Sequence, residues 1–203
     1  MEGVFVLLPP TAIVAGLALF FTIRQARRQR YEQRYDLARK ILNELTTESA
    51  VKDRHLLGCL HWQNRTINKG GSERNDVMRA HFSMLWLFGR VQAGRASLLA
   101  TNNNKRDDAL KYLDNGIQTH ILEYICTFSA IREKLEKADP TDAVIEGSYG
   151  DAFRDLRESF AETVKDDTLK RMLLKGHVNN AEQCLCSCHS VRPKKPSRLT
   201  SAA

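Results

Sequence analysis

The sequence lacks the local patterns that mark β structure and the motifs that mark several large enzyme classes. Across its 203 residues no stretch alternates apolar and polar residues, and no hairpin signal joins two strand-like segments. There is no phosphate-binding glycine loop, no nucleophile elbow and no His-Glu-x-x-His motif. These absences predict an all-α protein. They also favour a protein without a cofactor and without enzymatic activity.

Acidic residues are scarce toward both ends of the chain. Residues 24–40 hold seven Lys and Arg against two acidic residues, and the segment from residue 189 onward holds four basic residues and no acidic one. Residues 41–188 hold 20 basic and 21 acidic residues, so the formal net charge of +7 belongs to the ends. A nucleic-acid-binding domain would carry a basic stripe on its folded part. The near-neutral middle therefore disfavours nucleic acid as a partner.

No charged residue occurs from Val4 to Ile23, a run of twenty residues that reads VFVLLPPTAIVAGLALFFTI. A helix of this length spans about 30 Å at roughly 1.5 Å per residue, which is the thickness of a hydrocarbon core. Pro9 and Pro10 fall near its start, where the first-turn N–H groups lack intrahelical partners and proline costs least. The run predicts that residues 1–23 form an N-terminal transmembrane anchor, with regular helix from about Pro9.

Three other interpretations of this run fit the flanking sequence less well. A cleaved signal peptide has a basic start and a small-residue cleavage site, and a mitochondrial presequence carries arginines within its amphipathic segment. Here only Glu2 and the terminal amine supply charge before the run, and the first arginine is Arg24. A buried core helix is a poor match for twenty uncharged residues at the terminus. We therefore expect an uncleaved, single-pass anchor.

Five arginines follow the anchor closely: Arg24, Arg27, Arg28, Arg30 and Arg34. Because Lys- and Arg-rich flanks stay on the cytoplasmic side, we expect the N-terminus outside and the C-terminal domain in the cytoplasm. Each arginine near the surface contributes on the order of 1 kcal/mol of attraction to anionic headgroups. The lipid bilayer and its anionic headgroups are therefore the first predicted partners.

The anchor runs into the next segment without an intervening glycine or proline. An apolar seam of two heptads follows, with spacings of 4, 3, 4 and 3 residues, formed by Tyr31, Tyr35, Ala38, Leu42 and Leu45. This seam predicts a basic juxtamembrane helix over residues 24–48. A seam this short fits packing onto the protein's own bundle better than a coiled-coil dimer. A homo-oligomer assembled through this helix stays open as an alternative.

Apolar periodicity predicts a bundle of about five helices over residues 49–180. The expected ranges are about 51–67, 72–100 with Ser72 as N-cap, 109–135, a helix capped by Thr141 and kinked at Gly147 and Gly150, and 167–175. The segment FSMLWLF at 82–88 is apolar nearly all round. We therefore expect its helix at the centre of the bundle, with Trp86 buried against the 109–135 helix.

The order of these elements, with ILEYICTFSAIREKL at 121–135 and IEGSYGDAFRDL at 145–156, resembles a domain-of-unknown-function family. Its members are small single-span membrane proteins with a cytoplasmic helical domain, mainly from bacteria and their viruses. The resemblance covers residues 4–165 in architecture. The matching helix of that family carries a polar or acidic residue in its seam, where this chain has Leu122 and Ile125. The resemblance implies a membrane-tethered helical domain and supplies no catalytic residue.

Polar residues inside the predicted bundle have ordinary structural explanations. His120 and Glu123 stand three residues apart, but a di-metal bundle needs two Glu-x-x-His motifs and two further carboxylates, so a solvated helix face is the simpler interpretation. Cys59 and His61 are two residues apart and point in different directions on a helix. His81 is expected at the edge of the core. The sequence therefore offers no catalytic, cofactor-binding or metal-binding set in the bundle.

The tail, residues 181–203, combines cysteines with basic residues. Three cysteines and a histidine fall within six residues: Cys184, Cys186, Cys188 and His189. They are candidate zinc ligands, although zinc loops usually separate their ligand pairs by a longer excursion, and they are candidate lipidation sites beside a basic stretch. A disulfide conflicts with a reducing cytosol. A solvated, disordered tail is the simplest interpretation, with lipidation and metal binding as alternatives.

Together these features predict a membrane-tethered cytoplasmic helical interaction module with a protein partner that the sequence does not identify. A membrane-anchored enzyme with a site between helices is one alternative, and a deep polar pocket with a shifted pKa would support it. Membrane-tethered binding of nucleic acid is another, and it conflicts with the near-neutral middle of the chain.

Overall fold

A computed structural model describes residues 10–68, 71–101 and 108–174 of the chain. Within these ranges the regular structure is helical throughout, which confirms the all-α prediction. The helices are α1 (Pro10–Leu45), α2 (Glu48–Trp62), α3 (Ser72–Ala100), α4 (Asp108–Ala138), α5 (Gly147–Thr163) and α6 (Asp167–Leu174). Residues 4–9 of the predicted span and the tail at 181–203 lie outside the described residues.

The first helix, α1, has two halves with different surroundings. Every side chain described between residues 14 and 33 is exposed, whereas Ala38, Ile41 and Leu45 are buried. The buried half packs against α3 and α4, where Tyr35 stacks with Tyr112 at 5.8 Å between ring centroids. The seam from Tyr35 to Leu45 therefore packs onto the protein's own bundle, as predicted, whereas its first residue, Tyr31, is 52% exposed.

The bundle has four columns of helix, and α6 packs beside α5. The second half of α1 and α2 follow one another along the same side of the bundle, separated by a short break. Thr47 is the N-cap of α2, and its hydroxyl accepts a hydrogen bond from the Ala50 N–H at 3.4 Å. Side-chain pairs fix the directions: Arg34 bonds to Leu98 and Glu44 bonds to Arg90, so α1 and α3 are antiparallel. Aromatic pairs between residues 82 and 149 and between 88 and 153 make α3 and α5 parallel.

An aromatic cluster fills the centre of the bundle. The fully buried ring of Phe88 lies 5.0–5.8 Å, centroid to centroid, from Tyr124, Phe128 and Phe153, which come from α4 and α5. Phe88 is therefore the residue of the 82–88 segment that lies at the centre of the core. The prediction that Trp86 is buried is wrong: it is 50% exposed, and the Arg90 guanidinium lies 4.9 Å from its ring. Because this segment is apolar nearly all round, its sequence does not indicate which of its side chains point into the core.

Two glycines receive the packed half of α1. A Cβ at Gly94 of α3 would lie 2.3 Å from the Ile41 side chain, and a Cβ at Gly116 of α4 would lie 2.6 Å from Leu42. No real Cβ approaches that closely, so each glycine leaves space that an α1 side chain fills. These contacts hold the root of α1 against the bundle.

The start of α5 differs from the prediction. Thr141 does not cap a helix, because its N–H and hydroxyl both donate to the Asp139 carboxylate, at 3.1 and 2.7 Å, and close a turn after α4. The helix begins at Gly147, whose φ of +50° is a conformation that L side chains rarely adopt. The predicted kink at this glycine is therefore a helix start. Similarly, Ser72 is the first residue of α3 and Gly71 occupies the N-cap position.

Candidate functional site

The exposed half of α1 is the most unusual surface of the described chain. We call residues 14–33 the projecting helix. Its apolar part exposes six large side chains at 45–66% of their surface: Val14, Leu17, Leu19, Phe20, Phe21 and Ile23. At 100° per residue these positions cover about 220° of the helix surface, and the remaining face carries the small uncharged residues Ala15, Ala18 and Thr22. A helix that is apolar all round normally lies in a protein core or in lipid.

Charged side chains begin directly after this apolar part. Arg24, Arg27, Arg28 and Arg30 are all exposed, and Arg28 bonds to Glu32 at 2.9 Å one turn further along. Both partners of that ion pair are more than half exposed, so it contributes at most about 1 kcal/mol. The surface therefore changes from apolar to basic between residues 23 and 24.

The fifth predicted headgroup contact, Arg34, is engaged within the protein. Its guanidinium donates to the Leu98 carbonyl at 2.8 Å and bonds to the Thr101 hydroxyl. Leu98 lies in the last turn of α3 and Thr101 is its C-cap residue, and at such a helix end carbonyls lack intrahelical partners and a cation is favourable. Arg34 thus joins α1 to the end of α3. The sequence placed it with the other arginines because its acceptors are more than 60 residues away.

None of the helices in the described ranges combines enough length with enough apolar character to cross a membrane. The apolar part of α1 that the structure describes begins at Pro10, and residues 4–9 of the predicted span fall outside it. The candidate zinc or lipidation residues of the tail, Cys184, Cys186, Cys188 and His189, also fall outside the described residues.

A buried ion pair joins three helices of the bundle. Arg95 of α3 is fully buried, and it bonds to both carboxylate oxygens of Asp114 on α4, at 2.8 and 3.1 Å. The same guanidinium donates to the hydroxyls of Ser159 and Thr163 on α5, at 2.6 and 3.0 Å. The charge is therefore paired and surrounded by hydrogen bonds, as a buried charge requires. Nothing in the local sequence around Arg95 indicated this network.

A second polar pair closes the opposite end of the bundle. His81, predicted at the edge of the core, is fully buried, and its Nε2 lies 2.9 Å from the Glu146 carboxylate. Arg132 approaches the other oxygen of that carboxylate at 3.6 Å. Because Glu146 directly precedes α5, the pair fixes the start of that helix against α3 and α4. We interpret it as a structural contact.

A cluster of titratable groups lies between α2 and α4. Arg54 donates to Nδ1 of His120 at 3.4 Å. Burial lowers the pKa of His120, and the Arg54 charge lowers it further, whereas burial raises the pKa of Glu123 against the opposing effect of Arg54. Burial also raises the pKa of the Tyr124 hydroxyl above its usual range. The interpretation of His120 and Glu123 as a solvated face is therefore wrong, because both are half-buried in a helix contact.

The described residues contain no group of three or more side chains placed to hold a metal ion. Comparison with protein-family models, curated proteins and solved structures finds no match to the chain. The resemblance to single-span membrane proteins therefore stays a prediction from the sequence at 121–135 and 145–156 and the order of the helices.

Proposed function

We propose that the protein is a membrane-tethered helical interaction module. The N-terminal segment through Ile23 inserts into the bilayer, Arg24, Arg27, Arg28 and Arg30 bind anionic headgroups on the cytoplasmic side, and the bundle is presented to a protein partner. In this proposal α1 is one continuous rod that connects the membrane to the bundle.

One observation carries the proposal. Six large apolar side chains are exposed on the projecting half of α1, no charged side chain lies among them, and the packed half of the same helix is buried normally. Burying a side chain of this size is worth about 1.5–3 kcal/mol, so exposing six to water is costly. Residues 10–23 cover about 21 Å as helix, and the uncharged run continues in the sequence back to Val4.

The bundle favours a binding role over catalysis. Its buried Arg95 is committed to Asp114, and its buried His81 is committed to Glu146. Each pair connects helices. This structural role accounts for the burial of these charged or polar groups, so no catalytic role is needed to explain it. The shifted pKa values of His120 and Glu123 follow from burial in the α2–α4 contact. These explanations leave the exposed surface of the bundle as the part available to a partner.

The test is flotation of the full chain with vesicles after two apolar residues of the projecting helix are replaced. Val14→Asp and Leu17→Asp each place a charge in the proposed hydrocarbon core, at about 2.5–3.5 kcal/mol per charge near its centre. We expect the double variant to leave the membrane fraction.

The matched control carries the same two changes on the bundle. Ile145 and Leu174 are 80% and 50% exposed, so Ile145→Asp and Leu174→Asp should keep the chain with the vesicles. Equal flotation of wild type, test variant and control would contradict insertion of the projecting helix. A pull-down from membranes with wild type and the test variant then identifies partners that require the tether.

A further inference from the structure

The outward face of α2 carries a row of side chains that neither the tether nor the core uses. The row consists of Val51, His55, Cys59 and Trp62, spaced by 4, 4 and 3 residues, and we call it the α2 row. Val51 and Trp62 are 43% and 56% exposed, His55 is exposed and Cys59 is half-buried with a free thiol. Two apolar side chains thus flank a thiol and an imidazole.

The thiol and the imidazole are placed as two ligands of one metal ion would be. The Sγ of Cys59 lies 3.5 Å from Nε2 and 3.9 Å from Nδ1 of His55. Zinc binds thiolate at about 2.3 Å and imidazole nitrogen at about 2.0–2.1 Å, so tetrahedral geometry separates the two donor atoms by about 3.5 Å. The observed separation matches this value with no movement of the helix. His55 and Cys59 are four residues apart on α2, so both side chains lie on one face of the helix.

Two ligands leave a tetrahedral site half complete. Structural zinc sites have four protein ligands, and among the described residues no third ligand joins this pair. The missing pair therefore has to come from outside the described residues, such as from a second molecule. The remaining residues of the α2 row indicate which one.

The α2 row is complementary to itself. When two α2 helices lie antiparallel about a two-fold axis near residue 57, Val51 faces Trp62 of the other copy at both ends. At the centre, His55 and Cys59 face Cys59 and His55 of the other copy. An isologous interface requires this kind of self-complementary patch. The same arrangement brings two thiols and two imidazoles together, which is a Cys₂His₂ zinc set.

We propose that the α2 row binds Zn²⁺ between two copies of this chain, with His55 and Cys59 of each copy as the four ligands. On binding, each Cys59 thiol releases its proton to solvent and coordinates as thiolate, and each neutral His55 coordinates through a ring nitrogen lone pair. Val51 and Trp62 cover the site on both sides. The zinc site itself lies on the bundle and needs no membrane. Because α1 and α2 run in the same direction, antiparallel α2 helices point the two projecting helices to opposite ends of the dimer, so the paired chains are not anchored side by side in one membrane.

The experiment uses the full chain in detergent micelles, with Cys184, Cys186 and Cys188 changed to serine so that the tail cannot bind the metal. Zn²⁺ is added in equilibrium dialysis, and the mass of the complex is followed by light scattering. We expect one Zn²⁺ per two chains, a dimer that a chelator dissociates, and protection of Cys59 from a thiol reagent. With Co²⁺ in place of Zn²⁺, a thiolate charge-transfer band should appear.

Three variants complete the test. His55→Ala and Cys59→Ser should each weaken Zn²⁺ binding by at least the roughly 10–100-fold that loss of an outer-shell partner costs. Lys52→Ala, on the same exposed side of α2, should bind as the parent does. Trp62→Glu should retain both ligands and lose the zinc-dependent dimer. Saturation at one Zn²⁺ per chain, binding that survives His55→Ala, or absence of binding would overturn the proposal.

Discussion

Single residues of the core differ sharply in what they stabilise, and the 82–88 segment shows the contrast. Phe88 touches three aromatic rings and is fully buried, whereas Trp86 is half exposed under Arg90. Phe88→Ala should lower the free energy of unfolding by about 3–5 kcal/mol, because it leaves a cavity among packed rings. Trp86→Ala should cost less than about 1 kcal/mol. Thermal unfolding of the two full-length variants checks this, and a larger loss for Trp86→Ala would contradict the described core.

The histidine between α2 and α4 makes stability depend on pH. Burial and Arg54 lower the pKa of His120, so between its lowered value and the ordinary histidine pKa of 6.5 the unfolded chain binds more protons than the folded chain. Stability should therefore fall as the pH falls from about 7.5 to about 5.5. Glu123 acts in the opposite sense. Because its pKa is raised in the folded chain, the folded chain binds more protons than the unfolded chain just above the ordinary glutamate value of 4.5, and its contribution to stability there rises as the pH falls.

Replacing the histidine isolates its contribution. His120→Gln should reduce the loss of melting temperature on acidification relative to the parent. Melting curves of the two proteins at both pH values provide the measurement. Identical pH dependence in His120→Gln and the parent would show that the His120 environment is not as described.

Sequence patterns predicted the apolar residues of this protein better than its polar ones. The seam through Leu113, Ile117 and Ile121 is buried as its periodicity indicated. Arg95 and His81 were not recognised as buried, because their partners lie 19 and 65 positions away and no local pattern reports such pairs. Arg34 shows the same limit, since it was grouped with arginines that share its neighbourhood in sequence but not its contacts.

At the scale of helices, Arg95 and Asp114 connect α3, α4 and α5. Asp114→Ala leaves a buried guanidinium without its charge partner and should cost about 3–5 kcal/mol of unfolding free energy. Asp151→Ala breaks an exposed pair with Arg154 and should cost less than about 1 kcal/mol. The combined change Arg95→Met and Asp114→Leu should recover much of the loss, because it removes the buried charge itself. Chemical denaturation of the four proteins compares these values, and equal losses for Asp114→Ala and Asp151→Ala would contradict the network.

The helices themselves were largely predictable, and the connections were not. The stripe of α4 and the glycine-containing break before α3 gave bounds within a few residues of those observed. Residues 142–146 were assigned to a helix, because Thr141, which follows the proline that ends the preceding helix, is a residue type favoured at N-caps. The side chain of Asp139 bonds to Thr141 instead, and the His81–Glu146 pair sets the start of α5. Tertiary contacts thus decided a boundary that local propensity could not.

For the whole molecule, the direction of α1 determines which end of the bundle faces the proposed membrane. Arg34 binds the C-terminal end of α3, so that end lies nearest the projecting helix. From Ile23 to Arg34 the helix rises about 16 Å, so in the proposed arrangement the bundle stands away from the hydrocarbon core on a short stalk. The arginines between these two residues occupy the stalk, as the predicted headgroup contacts require.

The proposed cytoplasmic orientation is tested at the sequon Asn64-Arg65-Thr66. Asn64 is exposed in a turn after α2, with φ of +51°, and is accessible for modification if that side faces the lumen. Synthesis of the full chain with microsomes should yield no glycan. A control with Arg24, Arg27, Arg28 and Arg30 changed to Gln, and three lysines inserted after Met1, should reverse the orientation and gain the glycan. A glycan on the parent chain would contradict the orientation.

The central claim is that the apolar-to-basic change in α1 is the boundary between lipid and water. The most direct measurement places a photoreactive benzophenone amino acid at Leu19, Phe21 or Gln33 of the full chain in vesicles. Leu19 and Phe21 lie on opposite faces of α1 and are 61% and 62% exposed. The account predicts lipid adducts from both positions and none from Gln33. Protein adducts in place of lipid adducts at Leu19 and Phe21, or equal lipid adducts at all three positions, would contradict it.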